Sequence, residues 1–168
     1  AASKPDALLV APNDAKASTP SLKRIQDAGS KVVLVDTAVE DTTIGVSRIA
    51  TNNELGGEKA AEALQTLGLK SGAKVLVIST DPGITSVDAR IAGFNKKAKE
   101  LGFVLVSDAQ YSHNQAAEGA KVVSAALAKD ADLAGVFATN LFTAQGVATG
   151  VKQAGKSGTV KVVGFDAG

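Results

Sequence analysis

Residues 74–107 read KVLVISTDPGITSVDARIAGFNKKAKELGFVLVS, and this one stretch carries a complete strand–helix–strand signal. An apolar run (74–79) leads into the turn signal Asp81-Pro82-Gly83, then a helical period, then a second apolar run (103–107). Val87, Ile91, Phe94, Ala98 and Leu101 fall at spacings of four and three, so they share one face of a helix over 86–101. Leu101-Gly102 then places a glycine just past the last turn, where a left-handed C-cap sits.

The same rhythm extends in both directions. Further strands are expected at 7–11, 32–36, 134–138 and 161–165, and further helices at 17–28, 54–67, 115–128 and 142–154. Ala28-Gly29, Leu67-Gly68 and Ala154-Gly155 repeat the terminal glycine, and Ser18-Thr19-Pro20 is expected to open the first helix. The strand runs are nearly continuous in apolar residues, as parallel strands covered on both faces require. The chain is therefore expected to be α/β, with a Rossmann-like parallel sheet. The stretch 37–53, TAVEDTTIGVSRIATNN, breaks the rhythm. It is too polar for a core helix, and a short strand is expected within it at 46–50. We read it as a crossover: 1–36 belong to a first lobe, 37–53 connect, and 54–168 form a second lobe that ends at the hinge.

Composition excludes several function classes. Eighteen basic residues face 17 acidic ones, and a net charge of +1 offers no field for a nucleic-acid backbone or an anionic membrane. No basic patch is interleaved with aromatics. No apolar run approaches the roughly 20 residues that span a bilayer, so direct membrane insertion is not expected. With no Cys, there is no disulfide, thiolate metal site or Cys nucleophile, and the single histidine, His113, disfavours a zinc site or a serine triad. The chain has no Met, so Ala1 is not expected to be a translation start. No phosphate-binding glycine loop comes after a strand: Gly56-Gly57 is a lone pair at a helix start. Glu40-Asp41, Asp130 and Asp132 fall in polar loops and do not read as acid–base or metal pairs. Neither a catalytic residue, a metal nor a cofactor is expected.

In open α/β sheets ligands lie beyond the carboxyl ends of the strands. Most strands here end in polar residues: Asn13 and Asp14, Asp36 and Thr37, Ser79 to Asp81, Thr139 and Asn140, and Asp166. Any one of these suits a turn or a helix cap. Their recurrence suits a shared polar edge, because a carboxylate or an amide engages two hydroxyls at once. Arg90, in the first two turns of its helix, adds a forked donor. His113, in a loop between strand and helix, is a candidate for capping or ligand contact.

Six segments together carry a family resemblance: PDALLVAPND (5–14), KVVLVDT (31–37), IATNNELGGEKAAEAL (49–64), DARIAGFNKKAKELG (88–102), GVFATN (135–140) and VKVVGFDAG (160–168). In this order they resemble the type I periplasmic binding proteins of sugar ABC importers, closest to the ribose-binding-like group; the effector domains of LacI-type repressors share that fold. The resemblance implies two Rossmann-like lobes joined by hinge strands, with a monosaccharide or polyol in the cleft between them and a membrane permease as partner in the periplasm. It implies sugar contacts at Asp36, Arg90, Asn140 and Asp166, with Asn13 and Asn53 more peripheral. The chain departs from the family pattern at Thr37, where Arg is frequent, and at Leu141, where Asp commonly comes after the Asn. It is also short for the family, so it is expected to be truncated: a remnant of the first lobe joined to a nearly complete second. Alone, such a fragment is expected to bind sugar weakly or not at all. Three function classes are compatible with these residues: an importer's solute receptor, the ligand-sensing domain of a LacI-type regulator, or an enzyme on the same layers. The enzyme class lacks a convincing nucleophile, metal cluster or phosphate loop.

Overall fold

The structure, a computed structural model, describes residues 5–166; positions 1–4 and 167–168, the last two of the 160–168 segment included, lie outside the described residues. Its elements run β1 (Ala7–Val10), α1 (Thr19–Asp27), β2 (Lys31–Val35), β3 (Ser47–Ile49), α2 (Asn53–Thr66), β4 (Lys74–Ser79), α3 (Thr85–Glu100), β5 (Val104–Leu105), β6 (Gln110–Tyr111), α4 (Ala116–Lys129), β7 (Leu133–Ala138), α5 (Leu141–Gln153) and β8 (Lys161–Gly164). Every strand pairing is parallel. The chain divides into two compact units. One comprises the residues up to Asn52 together with Gly83–Asp88; the other comprises Asn53–Pro82 and everything from Ala89 on.

In the larger unit the strand order is β5-β4-β7-β8. The continuous apolar runs are explained by cover on both faces. Val75, Val77 and Phe137 pack with Ala60, Ala61 and Leu64 of α2 and Phe94 and Ala98 of α3. Leu76, Ile78, Val136 and Ala138 pack with Val123, Ala126 and Leu127 of α4 and Val147 and Val151 of α5. Alternate residues of one strand thus serve opposite faces, and both faces are dry. Phe94 and Phe137 stack with centroids 5.0 Å apart at the centre of the first layer; each such ring contributes about 1.5–3 kcal/mol through burial alone.

The run 103–107 does not form one strand. Only Val104–Leu105 pair with the start of β4, and the chain rejoins the same edge at Gln110–Tyr111, opposite Ile78 and Ser79. In the gap the Asp108 carbonyl is taken by the Asn95 side chain, at 3.0 Å, instead of by a ladder partner.

In the smaller unit the order is β1-β2-β3, over a core of Leu22, Val32, Leu34, Val39 and Ile44. The short strand expected at 46–50 is present as β3, in register Val33↔Ser47 to Val35↔Ile49 with β2. Helix α1 starts two residues later than its pattern suggests. Asp14 Oδ1 accepts from the amides of Lys16 and Ala17 at 2.9 and 2.6 Å and holds this stretch in turns, while Pro20 sits in the first helical turn.

Candidate functional site

In the larger unit the carboxyl ends of β4, β6, β7 and β8 share one edge, built on a buried hydroxyl ladder. Ser79 and Thr139 hydroxyls lie 2.8 Å apart, those of Ser112 and Thr143 lie 2.7 Å apart, and Ser112 Oγ also donates to the Ser79 carbonyl at 3.0 Å. All four residues are fully buried, so these bonds satisfy groups that would otherwise carry a desolvation penalty. They also fix the relative positions of the loops that leave the strands.

Arg90 is the anchor of this edge. It is only 6% exposed. Its Nε donates to Asn53 Oδ1 at 2.9 Å, its Nη1 donates to the Thr139 carbonyl at 2.7 Å, and its guanidinium lies 3.6 Å above the Phe165 ring. This geometry needs two adjacent glycines of α2. A Cβ at Gly57 would overlap the Arg90 carbonyl oxygen, and one at Gly56 would overlap the Phe165 ring. The lone glycine pair at the helix start therefore makes room for the α3 backbone at Arg90 and for the aromatic ring under its guanidinium. Asn53, 7% exposed, is a direct hydrogen-bond partner of Arg90.

Asn140 is half-buried at the start of α5, and its Oδ1 accepts from the Thr143 amide at 3.3 Å, the capping role open to any strand-end Asn. Its Nδ2 donates to Asn114 Oδ1 at 2.6 Å. Asp166 comes directly after Phe165 and is exposed. His113 Nδ1 lies 2.5 Å from Asp81 Oδ1, both side chains being largely solvent-facing.

In the smaller unit, Asn13 and Asp36 come after β1 and β2. Asp36 sits at φ 64, the left-handed region that a short polar side chain tolerates best. Its amide donates to the Ile49 carbonyl at 2.8 Å, which fixes the turn, and Ser86 Oγ donates weakly to its carboxylate at 3.4 Å. Thr37, the departure from the family pattern, is buried and donates to the Pro12 carbonyl at 2.7 Å. It ties the ends of β1 and β2 together. Asn13 is exposed. The structure thus gathers Asn53, Arg90 and Asn140 around Thr139, whereas Asn13 and Asp36 belong to the other unit.

Resolved pKa perturbations lie elsewhere. At the amino end of β4, hydrogen bonds to Asp132 and Asp130 raise Lys74, and the bond from Lys74 lowers Asp132. On the helices, hydrogen bonding between Lys96 and Glu58 raises the ammonium and lowers the carboxyl. Among the described residues no group of three or more His, Cys, Asp or Glu is placed to hold a metal ion, and no helix is long and apolar enough to cross a membrane.

The family described as periplasmic binding protein domain matches residues 1–168. The chain belongs to that family. It is 35% identical over 166 residues to the D-ribose/D-allose-binding protein of Pseudomonas aeruginosa, covering 96% of this chain and 51% of the relative. It is 30% identical over 162 residues to a ribose import binding protein of Bacillus subtilis, again covering 96% and 51%. A solute-binding protein of an ABC transporter from Agrobacterium vitis, solved with α-D-tagatopyranose, superposes with a TM-score of 0.92 at 40% identity, over 98% of this chain and 58% of that one. The chain thus spans about half the length of the curated relatives it matches. The parallel α/β architecture is that of the type I binding-protein fold, as the resemblance of the six segments implied.

Proposed function

We propose that this chain serves the solute-binding component of a sugar ABC importer and recognises a monosaccharide or polyol through the polar carboxyl edge of its strands. The observation that carries the reading is the buried Arg90, held by Asn53 and Thr139 over Phe165 beside Asn140. A fixed guanidinium on an aromatic ring, with the carboxamides of Asn53 and Asn140 on the same strand edge, matches a neutral polyhydroxyl ligand better than a phosphate or a metal. The relatives, a ribose/allose-binding and a ribose import binding protein, support the same class.

In this reading Arg90 donates to sugar oxygens, Asn140 exchanges hydrogen bonds with a hydroxyl, and Asp36 and Asp166 accept from hydroxyls. Asn53 orients Arg90, and Asn13 lines the smaller unit's strand ends. Binding rather than turnover is the activity. Residues 1–36 serve a first lobe, 37–53 the crossover and 54–168 a second lobe; the place of action is the periplasm and the partner a membrane permease. Sugar favours whichever state it contacts best, so ligation shifts the conformational population. The test is a thermal-shift screen of the complete protein against D-ribose, D-allose, D-tagatose and myo-inositol, because a ligand specific to the folded state raises Tm. A saturable rise with at least one sugar is expected; a flat response to all of them overturns the proposal.

A further inference from the structure

The strands of the larger unit change character at one level. Val75 to Ile78 of β4 and Val136 to Ala138 of β7 are apolar and buried, yet the next residues, Ser79 and Thr139, carry hydroxyls and are just as dry. Ser112, directly after β6, and Thr143, in the first turn of α5, are also fully buried. A buried hydroxyl is costly unless it is bonded, and Val or Ala would fill these places in an interior built of such residues. Core filling therefore does not account for four hydroxyls at one level.

Their bonds have a direction. The Ser112 hydroxyl gives its one proton to the Ser79 carbonyl at 3.0 Å, so in the 2.7 Å pair with Thr143 the Thr143 hydroxyl is the donor and Ser112 Oγ the acceptor. Thr143 also donates its amide to Asn140 Oδ1 at 3.3 Å. On the other side, Ser79 Oγ meets Thr139 Oγ1 at 2.8 Å, and the Thr139 carbonyl accepts from Arg90 Nη1 at 2.7 Å. The series thus leaves Asn140 through Thr143, Ser112 and Ser79 and returns to Thr139, the residue beside it, where Arg90 is anchored. A satisfied buried network of this kind rigidifies its surroundings and selects one arrangement. Ser79, Ser112 and Thr143 are 0% exposed, so none of them touches a ligand. Any influence they have on binding passes through Asn140 and Arg90.

We propose that Ser79, Ser112 and Thr143 are positioning residues for sugar recognition: their hydroxyl ladder fixes Asn140 relative to Arg90 and so sets the relative affinities for different sugars. This rests on the sugar-binding reading above and adds to it the buried support that gives the two side chains their spacing.

The test is isothermal titration of the complete protein with D-ribose, D-allose and D-tagatose, at a temperature where every variant is folded. The variants are Thr143→Val, Thr143→Ser and Ser112→Ala. Valine keeps the volume and the backbone amide but removes the donor, whereas serine keeps the donor. Thr143→Val and Ser112→Ala are expected to weaken binding about tenfold and to change the ratio of the sugar affinities at least about threefold, and Thr143→Ser to restore both. If Ser112→Ala does not fold, the two Thr143 variants decide. A lowered melting temperature with unchanged affinities means that the ladder only holds the fold, and overturns the proposal. A loss in Thr143→Ser equal to that in Thr143→Val assigns the effect to packing instead of the hydroxyl, and overturns it as well. If the unaltered protein binds none of the three sugars, the functional reading itself fails and this assignment falls with it.

Discussion

Replacing Arg90 with Met removes five N–H donors while keeping a long apolar stem in the same volume. Two buried acceptors, Asn53 Oδ1 and the Thr139 carbonyl, lose the bonds they receive at 2.9 and 2.7 Å. Leaving each without a donor costs about 1–3 kcal/mol, so the gross loss is about 2–6 kcal/mol. Two effects offset part of it: the variant no longer carries a desolvated charge, and the thioether keeps a favourable contact with the Phe165 ring. The expected net destabilisation is about 2–4 kcal/mol. The assay is urea unfolding followed by circular dichroism. With a slope of about 2 kcal/mol/M the midpoint falls by about 1–2 M. Asn53→Ala and the double variant complete a cycle, whose coupling energy is expected to be about 1–2 kcal/mol because the two side chains bond directly. A midpoint lowered by less than about 0.25 M in Arg90→Met would refute the idea that the guanidinium holds this edge together.

Two other perturbations test the surrounding account. Gly57→Ala places a Cβ on the Arg90 carbonyl oxygen; although alanine favours helix, the forced separation of α2 and α3 is expected to cost about 1–3 kcal/mol, and a raised urea midpoint would contradict the close approach. The Lys74 cluster makes a pH prediction. Asp132 is held below its ordinary value by Lys74, so its contribution is present above the unfolded carboxylate pKa and is lost as pH falls through the lowered folded value. Lys74 is raised, first by Asp132 and then by Asp130, so its contribution is present below the unfolded lysine pKa and is lost as pH rises through the raised one. The stability gap between the parent and Lys74→Met is therefore expected to be level near neutrality and to narrow below about pH 4 and above about pH 10; a gap constant across that range in chemical unfolding would contradict it.

Much of the fold is legible because its signals are local or periodic. The apolar runs of β4 and β7 need no partner to be recognised, and Gly68 and Gly102, at φ 104 and 75, end their helices where the pattern places them. The break between β5 and β6 is not legible, because the competitor for its backbone, the Asn95 side chain, comes from another element. The same holds for the site. Arg90, Asn140 and Asp166 stand at strand ends or in a recognisable segment, so sequence singles them out. Phe165 under the guanidinium, Gly56 making space for that ring and Gly57 for the α3 backbone acquire meaning only when α2 meets α3 and the end of β8. Asn114 is the clearest case: nothing in His113-Asn114-Gln115 announces a paired amide until the backbone turns left-handed and Asn140 is brought to 2.6 Å.

The central claim is that strand-end polar side chains of this chain read sugar hydroxyls. Asp166 tests it most directly, because its carboxylate is exposed and its removal is not expected to disturb the fold. The measurement is isothermal titration of the complete protein and of its Asp166→Asn variant with whichever sugar gives the largest thermal shift. The account predicts saturable 1:1 binding to the unaltered protein, with affinity at least about tenfold weaker in the variant and an unchanged melting temperature. Equal affinity in the two proteins would contradict it.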